Sequence, residues 1–213
     1  MRVKTWLFDF DGTLVDSMPT YGKMMLGILD AHGVPYPPNV LKITTPLGYE
    51  KTAAYFCSLG VTTPAEELVA QMNATALDAY ANHIPAKPHV TEVLRALKAR
   101  GDDLNVLTAS PHTMLDPCLK NNGIYDLFTN VWASEDFGTT KNDPRIYHMV
   151  AEKLGKRVED IWFLDDNLEA DTTAVRAGMM VCGVYDASSA DQEDAIRAVA
   201  HRYIRDFTEL LDF

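Results

Sequence analysis

The chain has little of what would commit it to the cell exterior, to a membrane or to nucleic acid. Only three cysteines occur in 213 residues, Cys57, Cys118 and Cys182. They are odd in number, widely spaced and form no CxxC pair, which excludes a disulfide framework and a cysteine zinc site. They read instead as reduced core thiols of a cytoplasmic protein. No apolar run reaches the length of a membrane span, and the first residues lead into a strand without a basic n-region or an apolar h-region. Positive charge is also scarce: 19 Lys and Arg stand against 30 Asp and Glu, a formal net charge of −11. That balance excludes nucleic acid and anionic membranes as expected partners. An anionic substrate would need a cation, or local Lys and Arg, to receive it. There is no internal repeat and no low-complexity linker. With 47% apolar and 23% charged residues, the length fits one domain, or a core domain with a modest insert.

What is present concentrates in Lys4 to Ser17, KTWLFDFDGTLVDS. The apolar run Trp6 to Phe8 is short and flanked by turn chemistry, which predicts a buried strand rather than a helix. Asp9 and Asp11 follow it directly, at the carboxyl end where open α/β sheets place their ligands. Gly12 lets the backbone turn sharply and come close to a ligand. Two carboxylates two residues apart, beside a glycine, suit one nucleophile or metal ligand plus one acid/base. A bare Asp-x-Asp is equally a polar turn that caps the next helix, so the rest of the chain has to decide.

Residues 15–85 show helical spacing throughout, over 19–32 (Met24, Met25, Ile28 and Leu29 on one side), 49–59 and about 64–83. None of this stretch alternates like a strand, which predicts an all-helical insert directly after the first strand. Met24, Met25 and Met72 read as helix core in preference to a cofactor or peptide surface. Lys42 to Lys51, KITTPLGYEK, carries a glycine and several polar groups and is the candidate specificity loop; a plain helix connection explains any single residue there equally well. Residues 1–14 and 86–213 form the core. Strands are predicted at 105–107, 130–133, 161–164 and 181–184, alternating with helices at 89–100, about 112–122 and up to Leu154, and the remaining residues read as surface helix and turn. That alternation predicts an α/β doubly wound parallel sheet.

Polar groups gather at the strand ends. Thr108-Ala109-Ser110-Pro111 closes the second strand; such a hydroxyl is by default a helix N-cap, but with free N–H groups it can equally hold a phosphoryl oxygen. Lys141 lies in a Gly138–Pro144 loop, where a lysine is ordinarily solvated surface. Asp165, Asp166 and Asp171 sit where a helix dipole favours carboxylates. Yet adjacent acids on a buried strand end repel each other, a cost that a divalent cation relieves.

Together these four segments resemble the four motifs of the haloacid dehalogenase (HAD) superfamily, with the spacing of that family over essentially the whole chain. DFDGTLVDS resembles the first motif and VLTAS the second. The Lys141 loop resembles the third, usually KPDP, with Asn142 here in place of Pro. DDNLEADTTAVRAGMM resembles the fourth. The resemblance implies a Rossmann-like core whose helical insert is a cap, in the phosphoglycolate phosphatase and β-phosphoglucomutase branch. It implies a Mg²⁺-dependent phosphatase acting on a small phosphorylated metabolite, with Asp9 as nucleophile forming an aspartyl-phosphate and Asp11 as acid/base. Thr108, Ala109 and Lys141 would bind the transferring oxygens. Asp9, Asp166 and the backbone carbonyl of Asp11 would hold the metal, with Asp165 as accessory acid. Counting back from Gly178 puts Ala170, not Asp171, where relatives carry Asp or Asn, so Asp171 ranks last. Relatives that dehalogenate or cleave phosphonates lack an acid at the Asp11 position, because no oxyanion leaving group needs protonating. The alternatives are a β-phosphoglucomutase-like mutase and a catalytically silent binding protein on the same fold. The expected state is a monomer or weak homodimer.

Overall fold

The computed structural model describes residues 3–45 and 47–213, and its chain separates into two compact units. The first runs up to Asp16 and resumes at Ile84–Phe213; the second is Ser17–His83.

The first unit is a six-stranded, wholly parallel sheet. Its strands are β1 (Thr5–Phe8), β2 (Asp103–Thr108), β3 (Asn130–Ala133), β4 (Ile161–Asp165), β5 (Met180–Val184) and β6 (Arg202–Ile204). They lie in the order β3-β2-β1-β4-β5-β6. The short β1 is central, pairing Thr5–Phe8 with Asp103–Val106 on one side and Ile161–Leu164 on the other. All four of its residues are buried, as a parallel strand covered on both faces must be. The connecting helices are α5 (Val90–Ala99), α6 (His112–Asn121), α7 (Arg145–Leu154), α8 (Leu168–Ala177) and α9 (Glu193–Val199). Alternate strand residues divide between the faces. Leu7, Leu107, Phe163 and Val181 pack with Ile146, Tyr147 and Val150 of α7 and with Ala170, Ala174 and Ala177 of α8. Phe8 turns to the other face, against Phe128 and Phe207 at ring-centroid distances of 6.3 and 6.2 Å. Burial of each such side chain contributes roughly 1.5–3 kcal/mol. The sixth strand is a correction to the five read from the sequence. β6 has only three residues, with Arg202 exposed and Tyr203 half-buried, so no apolar run marks it.

The second unit is helical: α1 (Met18–Ala31), α2 (Val40–Thr44), α3 (Gly48–Leu59) and α4 (Ala65–Asn82). Met25, Leu29, Phe56, Leu68 and Met72 form its core, with Met24 packed against them. The candidate loop 42–51 spans the end of α2 and the start of α3, and its Pro46 lies outside the described residues. Ser17 precedes α1 but makes no capping bond through its side chain. Among the described residues no helix is long and apolar enough to cross a membrane, and the three cysteines are free.

At the amino-terminal edge of the sheet, buried Asp102 ties α5 to β1. It accepts hydrogen bonds from Lys4 N at 3.0 Å, Trp6 Nε1 at 2.9 Å and Arg100 Nε at 3.0 Å. Burial alone would raise its carboxyl, but the donors from Arg100, Trp6 and Lys4 hold it below the ordinary value. Asp102→Ala is expected to cost about 3 kcal/mol, because it strands buried donors as well as removing a bond. A depressed carboxyl stabilises the fold above the unfolded-state value of about 3.9, and that stabilisation is lost as pH falls through the folded-state value. Urea titrations across pH should therefore show the gap between wild type and Asp102→Asn narrowing below about pH 4.

Candidate active site

Because every strand is parallel, β1, β2 and β4 end on one edge, and the chain leaves each with a polar residue. The Asp9 N–H continues the ladder by donating to Leu164 O at 2.8 Å, which sets Asp9 beside the Asp165-Asp166 step. Asp9, Asp165 and Asp166 are all buried, and each offers a carboxylate oxygen within 4.8 Å of the others. Lys141, also buried, reaches this cluster from the segment before α7. Its Nζ lies 2.7 Å from Asp9 Oδ1 and 2.7 Å from Asp165 Oδ2. Tyr147 anchors that segment, its hydroxyl donating to Lys141 O at 2.9 Å and standing 3.2 Å from Ala170 O.

Burial would lower the Lys141 ammonium, but Asp165 and Asp9 override it and hold the group charged, far above the ordinary lysine value. Burial raises Asp9 to about 7, with the neighbouring Asp165 adding to the effect and Lys141 opposing it. Burial, then Asp165 and Asp9, likewise push Asp166 well above the usual carboxylate range. Three carboxylates share one ammonium, so with all of them ionised two negative charges are left over. Hard oxygen donors with that surplus fit a divalent cation.

The remaining residues named from the sequence fall around this cluster. Thr108 ends β2 and is buried, its Oγ1 accepting the Ser110 N–H at 3.0 Å. Its carbonyl accepts from Ser134 Oγ at 3.0 Å, and Ala109 is exposed beside it. Asp11 is half-buried and receives Ser110 Oγ on its Oδ2 at 2.5 Å. Asp165 has both oxygens engaged, one by Lys141 and the other by the Asn167 N–H at 2.8 Å. Asp171 is fully buried in α8, where burial pushes it well above the usual range. Its two oxygens have no hydrogen-bond partner, and it is not one of the clustered acids.

Several further residues shape the site. Thr13 donates its hydroxyl to Asp166 Oδ1 at 3.0 Å. Asn167 caps α8, accepting from Glu169 N at 2.9 Å and Ala170 N at 3.1 Å. Lys87 donates from Nζ to Gly12 O at 2.6 Å, Tyr185 O at 2.7 Å and Asp186 Oδ2 at 3.0 Å. It lies where the chain re-enters this unit and pairs with the outgoing segment, through Asp16 N to Pro85 O and Lys87 N to Leu14 O, both 3.0 Å. Thr13 was legible as part of the DGT string. Lys87 carried no local signal, since two of its acceptors belong to a turn some hundred residues away.

This chain belongs to the haloacid dehalogenase-like hydrolases: the model of that family matches residues 3–178. It is 26% identical to a phosphoglycolate phosphatase of Psychrobacter arcticus, over 84% of this chain and 81% of that protein. It is 25% identical to the validoxylamine A 7′-phosphate phosphatase of Streptomyces hygroscopicus subsp. limoneus, over 97% and 95%. Its fold matches that of a HAD family hydrolase from Deinococcus radiodurans R1, with a TM-score of 0.80 at 21% identity, covering 98% of this chain and 93% of that one.

Gly12 tests how tightly this edge is built. Its φ is +74°, and a Cβ there would stand 2.6 Å from Asp166 Oδ2 and 2.8 Å from Asp166 Cγ. Gly12→Ala is expected to cost about 1–2 kcal/mol from the left-handed backbone alone, with displacement of Asp166 in addition. Urea unfolding without added metal measures the first effect. Loss of the melting-temperature rise on adding a divalent cation measures the second.

Proposed function

We propose that the protein is a Mg²⁺-dependent phosphatase that hydrolyses a small phosphorylated metabolite through an aspartyl-phosphate on Asp9. The observation that carries this reading is Asp9 itself, a buried carboxylate at a strand end, ion-paired to Lys141 at 2.7 Å and clustered with Asp165 and Asp166. Phosphate monoesters resist attack because their anionic oxygens repel a nucleophile, so catalysis rests on positioning and charge neutralisation. Asp9, Asp166 and the Asp11 carbonyl would hold Mg²⁺, which when bound neutralises phosphoryl and carboxylate charge.

The chain's own groups account for the remaining steps. Lys141 and the Thr108 hydroxyl, whose oxygen accepts the Ser110 N–H, donate to the equatorial oxygens. The Ala109 N–H is assigned to the same oxygens. Asp9 attacks phosphorus as the ester bond breaks, and Asp11 gives its proton to the departing oxygen. Asp11, now a carboxylate, takes a proton from the water that attacks phosphorus and releases Asp9. Asp165 keeps Lys141 in place through its Oδ2, and its other oxygen is bonded to the backbone.

Two relatives named as phosphatases act on phosphates as different as phosphoglycolate and validoxylamine A 7′-phosphate. This supports phosphate-ester hydrolysis as the shared chemistry, with the leaving group variable. We assign selection of that group to the helical unit, as a cap, and within it to residues 42–51.

Purified protein assayed with 2-phosphoglycolate, 4-nitrophenyl phosphate and a panel of phosphometabolites should release free phosphate with Mg²⁺ and lose activity in EDTA. Asp9→Asn should be inactive, and Asp166→Asn should need far more Mg²⁺. Asp11→Asn should lower turnover of alkyl phosphates about a hundred- to ten-thousand-fold, and that of aryl phosphates less, because their leaving groups need less protonation. Undiminished turnover in EDTA contradicts the mechanism. Isomerisation of a sugar phosphate without free phosphate establishes the mutase instead, and no turnover of any ester establishes a silent protein.

A further inference from the structure

We propose that Ser110 is a positioning residue for Asp11, holding its carboxyl group in one orientation. The inference rests on the reading of Asp11 as acid/base and extends it to a residue on another strand end.

The Ser110 hydroxyl has a single proton, and it goes to Asp11 Oδ2 across 2.5 Å. That bond ties one carboxyl oxygen to the loop that follows β2 and so restricts rotation of the Asp11 side chain. Ser110 is itself held. Its N–H donates to Thr108 Oγ1 at 3.0 Å, and Pro111 follows with φ −70°, fixed by its ring. The same short loop thus orients the hydroxyl assigned to the phosphoryl group and the carboxyl assigned to the leaving group.

Helix α6 begins at His112 with Pro111 as its N-cap and no side-chain cap, and the Ser110 hydroxyl, one position further out, bonds to an acid 99 residues earlier in the chain.

In the acid step the Asp11 proton passes to the ester oxygen. That oxygen keeps the electron pair of the breaking P–O bond, while an Asp9 oxygen bonds to phosphorus. In the second step the Asp11 carboxylate accepts a proton from water as the water oxygen bonds to phosphorus and the Asp9–phosphorus bond breaks. Ser110 keeps its proton throughout and acts only through Asp11.

The test compares Ser110→Ala, Ser110→Thr, Ser110→Cys and Asp11→Asn on 4-nitrophenyl phosphate, phenyl phosphate and 2-phosphoglycolate. A hydrogen bond to a charged group of this kind corresponds to roughly a ten- to hundredfold effect. Ser110→Ala should lose about that much kcat on 2-phosphoglycolate, several-fold less on 4-nitrophenyl phosphate, and leave KM nearly unchanged. Ser110→Thr restores the hydroxyl and should restore kcat, whereas the weaker donor in Ser110→Cys should not. Added to Asp11→Asn, Ser110→Ala should cost nothing more, since there is no acid left to position. Equal losses from Ser110→Ala on all three esters, or a full additional loss in the Asp11→Asn background, would overturn the inference while the acid role of Asp11 stands. An Asp11→Asn variant that does not discriminate between leaving groups overturns that role and the inference with it.

Discussion

Everything at this sheet edge depends on a buried shortage of positive charge. Lys141 is shared between Asp9 and Asp165 at 2.7 Å each, and Asp166 lies in the same cluster. Removing an ionised carboxylate from water costs several kcal/mol unless a counter-charge meets it. One ammonium meets part of that cost. The remainder appears as the rise of Asp9 and Asp166 above the ordinary carboxylate range. A fold optimised only for stability would replace such a cluster with apolar side chains; retaining it makes sense where anionic oxygens and a cation are to be bound.

The scaffold makes the shortage tolerable by leaving the acids little freedom. The Asp9 amide is locked to Leu164, Thr13 holds Asp166, and the Asn167 amide holds Asp165. Gly12 approaches Asp166 more closely than any side-chain-bearing residue allows. Lys87 pins the Gly12 carbonyl to the Tyr185–Asp186 turn, on the segment that pairs with Leu14 and Asp16 as the chain re-enters. Preorganisation of this kind is where electrostatic catalysis draws its strength, since the groups need not reorganise as charge moves.

The fold was largely legible because its elements carry local signals. Trp6-Leu7-Phe8 before a DxDG turn reads as a central strand, and the β2 and β4 runs end in Thr108 and Asp165 as their apolar stretches suggest. β6 was not legible: three residues with an arginine at one end pair with β5 only because β5 is already in place. α2 was missed for a similar reason, its five residues lying beyond a proline-rich break with no room for periodicity. At the site, Asp9, Asp165 and Asp166 could be named because each closes or follows an apolar strand run, and Lys141 only because its loop resembles the third family motif. What Ser110 and Lys87 touch could not, because both contacts join segments 75 or more positions apart. Nor does a sequence indicate that Asp165 would have both oxygens occupied.

The claim that Asp9 receives the phosphoryl group is tested most directly by trapping it. The protein is mixed with saturating substrate and Mg²⁺, acid-quenched within one turnover and reduced with borohydride. An acyl phosphate on Asp9 is then converted to homoserine, which peptide mass spectrometry locates. The account predicts homoserine at position 9 in wild type and in Asp11→Asn, where the second step is slow, and none without substrate. Phosphate release with residue 9 unmodified in both proteins would contradict it.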